Sequence, residues 1–184
     1  MKKCIVVIIL FWVVSFFIVQ SVAAEAITVE KKIEIGRDCL KKGELRLAHR
    51  HMKDLVWMMN DSPVPPSLEE ERAFKKFKEE YASAIEKFIT EAEKYLKKAE
   101  EDSNKAYAGT AEGELLLAVE YSIPSVYTPD KKKLDILWPR VWRACADYNK
   151  QKAERVKNTD PKLSAVYSRQ AVEYEEKLKR TINK

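Results

Sequence analysis

Few residues in this chain have the types and spacings that do chemistry. The two histidines, His49 and His51, stand two apart in a helical stretch. They therefore point to different faces and cannot chelate one metal ion as an i, i+4 pair does. His51 and Asp54 form an i, i+3 pair that reads as part of a solvated face. The chain has no Cys-x-x-Cys-His, Gly-x-Ser-x-Gly, His-Glu-x-x-His or Gly-x-x-x-x-Gly-Lys pattern, so haem attachment, nucleophile elbows, zinc helices and phosphate loops lack their signatures. With two histidines, a nucleophile–base pair has little to draw on. The expectation is a chain without catalysis, cofactor or metal.

Three other groups invite a chemical reading. Cys39 and Cys145 are an even pair, which permits one disulfide in an exported chain. The bond would close a loop of about a hundred residues, worth about 4.7 kcal/mol in the chain-entropy picture. Two buried free thiols, acting as small hydrophobes, are the other reading. Trp138 and Trp142 stand four apart on one helical face, with Tyr148 further along. Either they form an aromatic platform for a partner, or they belong to the core beside Val141 and Cys145. Trp57 poses the same choice.

Charge forms the third group. The chain carries 34 Lys+Arg against 29 Asp+Glu, a formal +5. Residues 61–130 hold 9 basic and 16 acidic residues, while residues 131–184 hold 15 basic and 7 acidic. The basic C-terminal segment is a candidate surface for an anionic envelope component or an acidic protein. Alternatively, its helices pack beside the acidic middle. Nucleic acid is not expected, because the N-terminus reads as an export address.

That address is Met1-Lys2-Lys3, then an apolar run from Cys4 to Val19 broken only by Ser15, then small residues around Ala24. This is the three-part form of a secretory signal peptide, residues 1–24, with a cut after Ala24 and a second possible after Ala26. The run also approaches the roughly 20 residues of a bilayer span, so an uncleaved anchor is the alternative. Residues 25–184 then make one domain, periplasmic or secreted. A domain of this size needs neither metal nor disulfide to fold.

The elements that position these residues read as helices throughout. Ile33, Leu40, Leu45, Ala48, Met52, Leu55, Val56 and Met59 recur at spacings of three and four. Residues 61–67, with three prolines, break the pattern. Ser67 and Glu70 make a capping box. From there Phe74, Phe77, Tyr81, Ile85, Phe88, Ala92, Leu96 and Ala99 mark one long helix, whose spacing of eleven suits a straight helix packed on neighbours. Gly109 and Gly113 flank an expected turn before a helix over 114–126. Pro139 is expected in the first turn of the next helix. Asp160-Pro161 opens a last helix with a stripe of Leu163, Val166, Tyr167, Gln170, Ala171, Tyr174, Leu178 and Ile182. No segment alternates as a half-buried strand does. The fold class is all-α, an array of about five to seven helices.

All four glycines fall in two pairs, Gly36/Gly43 and Gly109/Gly113. Gly43-Glu44-Leu45-Arg46-Leu47-Ala48 is echoed 70 residues later by Gly113-Glu114-Leu115-Leu116-Leu117-Ala118. With Gly36, Gly43 and Ala48 followed by Met52 and Leu55, the first stretch resembles a tetratricopeptide-type helix hairpin, a repeat of about 34 residues. Lys32, Cys39 and Asn60 depart from that pattern, and the second copy keeps only Gly113, Ala118 and Pro129. The resemblance implies TPR-like hairpins that bind other proteins. Small residues are also needed wherever two helices turn and pack closely. The functional expectation is an exported interaction scaffold; the alternative is a helical bundle that binds a small ligand or metal in its core.

Overall fold

The computed structural model describes residues 28–102 and 105–182, which form six α-helices: α1 Val29–Lys41, α2 Leu45–Asp61, α3 Leu68–Glu101, α4 Ala108–Glu120, α5 Lys131–Val156 and α6 Pro161–Ile182. Residues 1–24, and with them the export address and Cys4, lie outside the described residues. No described helix is long and apolar enough to cross a membrane.

Local chemistry explains most helix ends. Thr28 accepts from Lys31 N at the start of α1. At its end Gly43 adopts φ 75°, a left-handed conformation that costs glycine little. Glu44 N then bonds Cys39 O and Gly43 N bonds Leu40 O, the paired bonds of a Schellman motif. The capping box forms as the spacing implies: Glu70 N donates to Ser67 Oγ, and Ser67 N to Glu70 Oε2. Asp160 accepts from Leu163 N at the start of α6, where Pro161 needs no partner for its missing donor.

Two helix ends differ from expectation. Gly109 and Gly113 are not turn residues. Both lie inside α4, which ends at Glu120, and residues 121–130 form the connection in which Ile123 bridges Tyr127. Pro139 lies well inside α5, not in its first turn. It deprives the Asp135 carbonyl of a helical donor, and the helix tolerates this because Asp135 is exposed and water can serve instead.

Short connections pair the helices as three hairpins: α1 with α2, α3 with α4, α5 with α6. The odd helices lie in a row, α1 against α3 and α3 against α5, while α2 also touches α3 and α4 touches α5. The backbones of α2, α4 and α6 do not approach one another, and α6 meets α4 only through side chains at Glu112. The long α3 is the spine. Phe77, Tyr81, Ile85, Ile89 and Leu96 on it are fully buried, each worth about 1.5–3 kcal/mol for an aliphatic or aromatic side chain removed from water. Ile89, not Phe88, enters the core. Phe88 lies at its edge, beside Leu40, Leu45 and Ala84 around a cavity of about 280 Å³.

The last helix has a narrower stripe than its sequence suggests. Ala171 is buried and Tyr174 and Leu178 are half-buried, but Leu163 and Val166 are exposed. Helix α6 ends the array, packs along α5 and reaches α4 only through Tyr174 and Lys177 at Glu112. One neighbour covers fewer positions than the amphipathic pattern offers.

Candidate interaction surface

The opposed charge blocks meet inside the molecule. Glu86, Glu93 and Glu100 stand seven apart on α3, facing Lys133 and Arg140, seven apart on α5. Lys133 Nζ lies 3.3 Å from Glu86 and 3.2 Å from Glu93. Arg140 grips Glu100 with two bonds of 3.0 and 2.7 Å. Tyr127 also donates to Glu86. Lysines at a helix N-terminus oppose the helix dipole; here Lys133 is held by α3, and Asp130 accepts from Lys132 N. In the C-terminal hairpin, Lys150 pairs with Glu175 at 2.5 Å and Lys177 with Glu112 of α4 at 3.3 Å. These pairs engage much of the basic segment that was a candidate anionic-surface site.

The aromatic trio separates. Trp138 and Trp142 stack at 5.3 Å between centroids, 25° from parallel. Lys177 Nζ lies 5.9 Å from the Trp142 ring and 4.5 Å from that of Tyr174. Tyr174 donates to Glu112 at 2.5 Å. The two indoles are half-buried: Trp138 adjoins the hydrophobic cluster and Trp142 lies under Lys177. Tyr148 is elsewhere on α5, with Lys152 Nζ at 5.5 Å from its ring. Six positions from Trp142 it stands about a third of a turn around the helix and about 9 Å along it, so the three rings do not make one platform.

Cys39 and Cys145 are free and buried. Cys39 lies on α1 and Cys145 on α5, and these two helices do not touch. A disulfide requires Cα atoms within about 7 Å, so this fold excludes the Cys39–Cys145 bond that the even count allowed. Burial pushes the Cys145 thiol up to about 12 and raises that of Cys39, so neither is a ready thiolate. In native buffer, a thiol reagent should leave both untouched. In denaturant without reductant, both should titrate; a protein in which neither Cys39 nor Cys145 does would contradict this packing.

The glycine pairs serve unlike purposes. Gly36 is where α1 crosses α3: a Cβ there would stand 2.5 Å from Phe77 Cζ. Gly43 makes the α1–α2 turn. Gly109 and Gly113 would meet nothing within 4 Å. The 70-residue echo thus joins a turn glycine to a mid-helix one.

On the outer face of α2 the sequence pointed to Trp57 but not to the cations beside it. Arg46, Arg50, Lys53 and Trp57 follow at steps of four, three and four, which places them on one stripe. All are exposed, Trp57 by 65%. No ion pair engages the three cations among the described residues. Leu47, 45% exposed, flanks them. With His49 and Asp54, Arg46, Leu47, Arg50 and Lys53 line a cleft of about 630 Å³.

His49 anchors this face to the spine. The Tyr81 hydroxyl donates to the Tyr121 carbonyl at 2.7 Å. Its one proton is therefore committed, and the 2.5 Å contact with His49 Nδ1 makes His49 the donor there. The His49 ring also meets the Tyr121 ring edge-on at 5.4 Å. Burial first, then Lys53, holds His49 below its usual pKa. Burial, then Lys32, does the same to His51, whose Nδ1 is buried without a partner.

These shifts fix a pH dependence. An unfolded imidazole titrates near 6.5, above the folded values, so acid protonates the unfolded chain first. Stability should be complete above pH 6.5 and decline as pH falls through that value towards the lowered folded pKa values. Urea midpoints at pH 7.5 and 5.5 would reveal the loss. Replacing both histidines by Gln should flatten it; an unchanged slope would sink the assignment.

No protein-family model, curated protein or solved structure matches this chain. Among the described residues, no group of three or more His, Cys, Asp or Glu is placed to hold a metal ion.

Proposed function

We propose that this chain is an exported, non-catalytic scaffold, a tetratricopeptide-like stack of three helix hairpins that holds a protein partner in the periplasm or cell envelope. The contact order of the helices carries the proposal: the odd helices form a continuous row and each even helix is attached to it as the second arm of a hairpin. Stacked hairpins bury their core through nearest neighbours and leave long faces free for partners. The Gly43 turn, the close approach at Gly36 and the fully buried Ala48 support the likeness of α1–α2 to that repeat. The basic start and apolar run of residues 1–19 support export.

Photo-crosslinking in the intact cell tests the reading. A crosslinkable residue placed in turn at Leu116, Gln170 and Arg50 should trap discrete adducts of reproducible mass at one or more positions. A chain that traps no protein from any of them, yet shifts its melting point with metals or small ligands, would favour a ligand-binding bundle.

A further inference from the structure

We infer that the α2 stripe of Arg46, Arg50, Lys53 and Trp57 is a docking surface for an acidic protein segment that carries an apolar side chain beside its carboxylates. The inference rests on the scaffold reading and names the partner's chemistry.

Charge complementarity is the first argument. The cations of α5 and α6 that face other helices are largely paired: Lys133, Arg140, Lys150 and Lys177 each hold a carboxylate. On α1, Arg37 grips Glu80 at 2.7 Å and Lys32 grips Asp54 at 2.7 Å. Among the described residues Arg46, Arg50 and Lys53 have no such partner, although they stand one turn apart and repel one another. A ligand that supplies carboxylates at that spacing removes the repulsion and gains charge-assisted bonds, two at a time from each arginine. Eleven residues of helix span about 16 Å, the reach of about five residues of extended chain.

Apolar complementarity is the second. Trp57 closes one end of the row, and Leu47 lies beside its other end. Trp and Arg together are the residue types that dominate binding energy at interfaces. Exposed tryptophan beside unpaired arginine is therefore more than a solvated charge row.

The surroundings select a protein segment over an anionic bilayer. Exposed Glu44 and Asp61 stand just beyond the two ends of the row. Glu120 acts on the same His49 that Lys53 does. A membrane presents a broad negative field and would meet these acids as well as the cations. A single peptide can follow the narrow row and avoid them.

The chain has only two histidines, which gives the test a local probe. His49 lines the cleft, while His51 points to another face. The chain, purified as the cell exports it, is titrated at low salt with a peptide of glutamates and one leucine, and the two histidine ring signals are followed by NMR. The His49 signal should move saturably and that of His51 should not. Raising salt should weaken the effect at least tenfold. Arg46→Glu with Arg50→Glu should abolish it with the melting temperature unchanged, whereas Lys162→Glu with Arg169→Glu should not. A His49 signal that stays still, moves equally in the Arg46/Arg50 variant, or responds only to phosphatidylglycerol vesicles or to a second copy of the chain would overturn the inference. Adducts from Leu116 or Gln170 would leave the scaffold reading standing in that event.

Discussion

Phe77→Ala should lower folding stability by about 3–5 kcal/mol, the range for emptying a buried phenylalanine site. That is a large part of the 5–15 kcal/mol that holds a typical domain. Phe77 is fully buried on α3 and its ring is the floor on which α1 rests at Gly36. In the native background Gly36→Ala places a Cβ 2.5 Å from Phe77 Cζ and 2.8 Å from Cε1. One helix or the ring must move, at about 1–3 kcal/mol for overpacking, which outweighs the roughly 1 kcal/mol that alanine gains over glycine in a helix. In the Phe77→Ala background the obstructing ring is gone. The nearest remaining atom is His51 Cβ at 3.3 Å, a contact that a small shift relieves. Gly36→Ala should then be stabilising, by up to about 1 kcal/mol. Urea denaturation of the four proteins measures the cycle. If Gly36→Ala has the same sign in both backgrounds, α1 is not seated on this ring.

Tyr81→Phe should cost about 1–3 kcal/mol, the usual cost of leaving buried polar partners unmade. The side chain keeps its shape and its place in the core. What it loses is the hydroxyl that donates to the Tyr121 carbonyl and accepts from His49 Nδ1. That oxygen ties α2, α3 and the connection after α4 together, so it couples the first hairpin to the second. His49→Ala should consequently cost less in the Tyr81→Phe protein than in the native one, and the difference is the coupling energy. Tyr81→Phe should also release the constraint that fixes the proton on Nδ1, which the ring nitrogen shifts of His49 would report. Additive costs and an unchanged tautomer would mean that the two residues are neighbours without being linked.

Much of the fold was legible because its signals are local. Ser67 and Glu70 specify a helix start within four residues. Gly43 specifies a stop through its backbone freedom. The spacing of Phe74, Ile85 and Leu96 specifies a straight helix covered along its length. Where several neighbours surround a helix, periodicity also names the core, and α3 shows this from Phe74 to Ala99. At position 88 it chose Phe88 where the structure buries Ile89, because adjacent positions flank the stripe and only the packed partner decides which enters.

The candidate surface was legible in another sense. Counting charge along the chain pointed to the C-terminal segment, since the arithmetic cannot know which charges face each other. The structure pairs Lys133 and Arg140 with Glu93 and Glu100 of α3 and leaves the unpaired row on α2, in a segment of unremarkable net charge. Cys39 and Cys145 followed the same logic: an even count allows a bond, and the distance between helices forbids it.

The sequence by itself determined an all-α chain with one long helix, its capping and turn residues, and an apolar N-terminal run that reads as an export signal. Propensity, caps and amphipathic period act within a few residues, so composition and spacing carry them. The tertiary structure alone decided which helices lie side by side, and through that which charges neutralise each other, which aromatics stack and which cations stand free. Those outcomes depend on through-space distances between residues dozens of positions apart, and no local pattern encodes them.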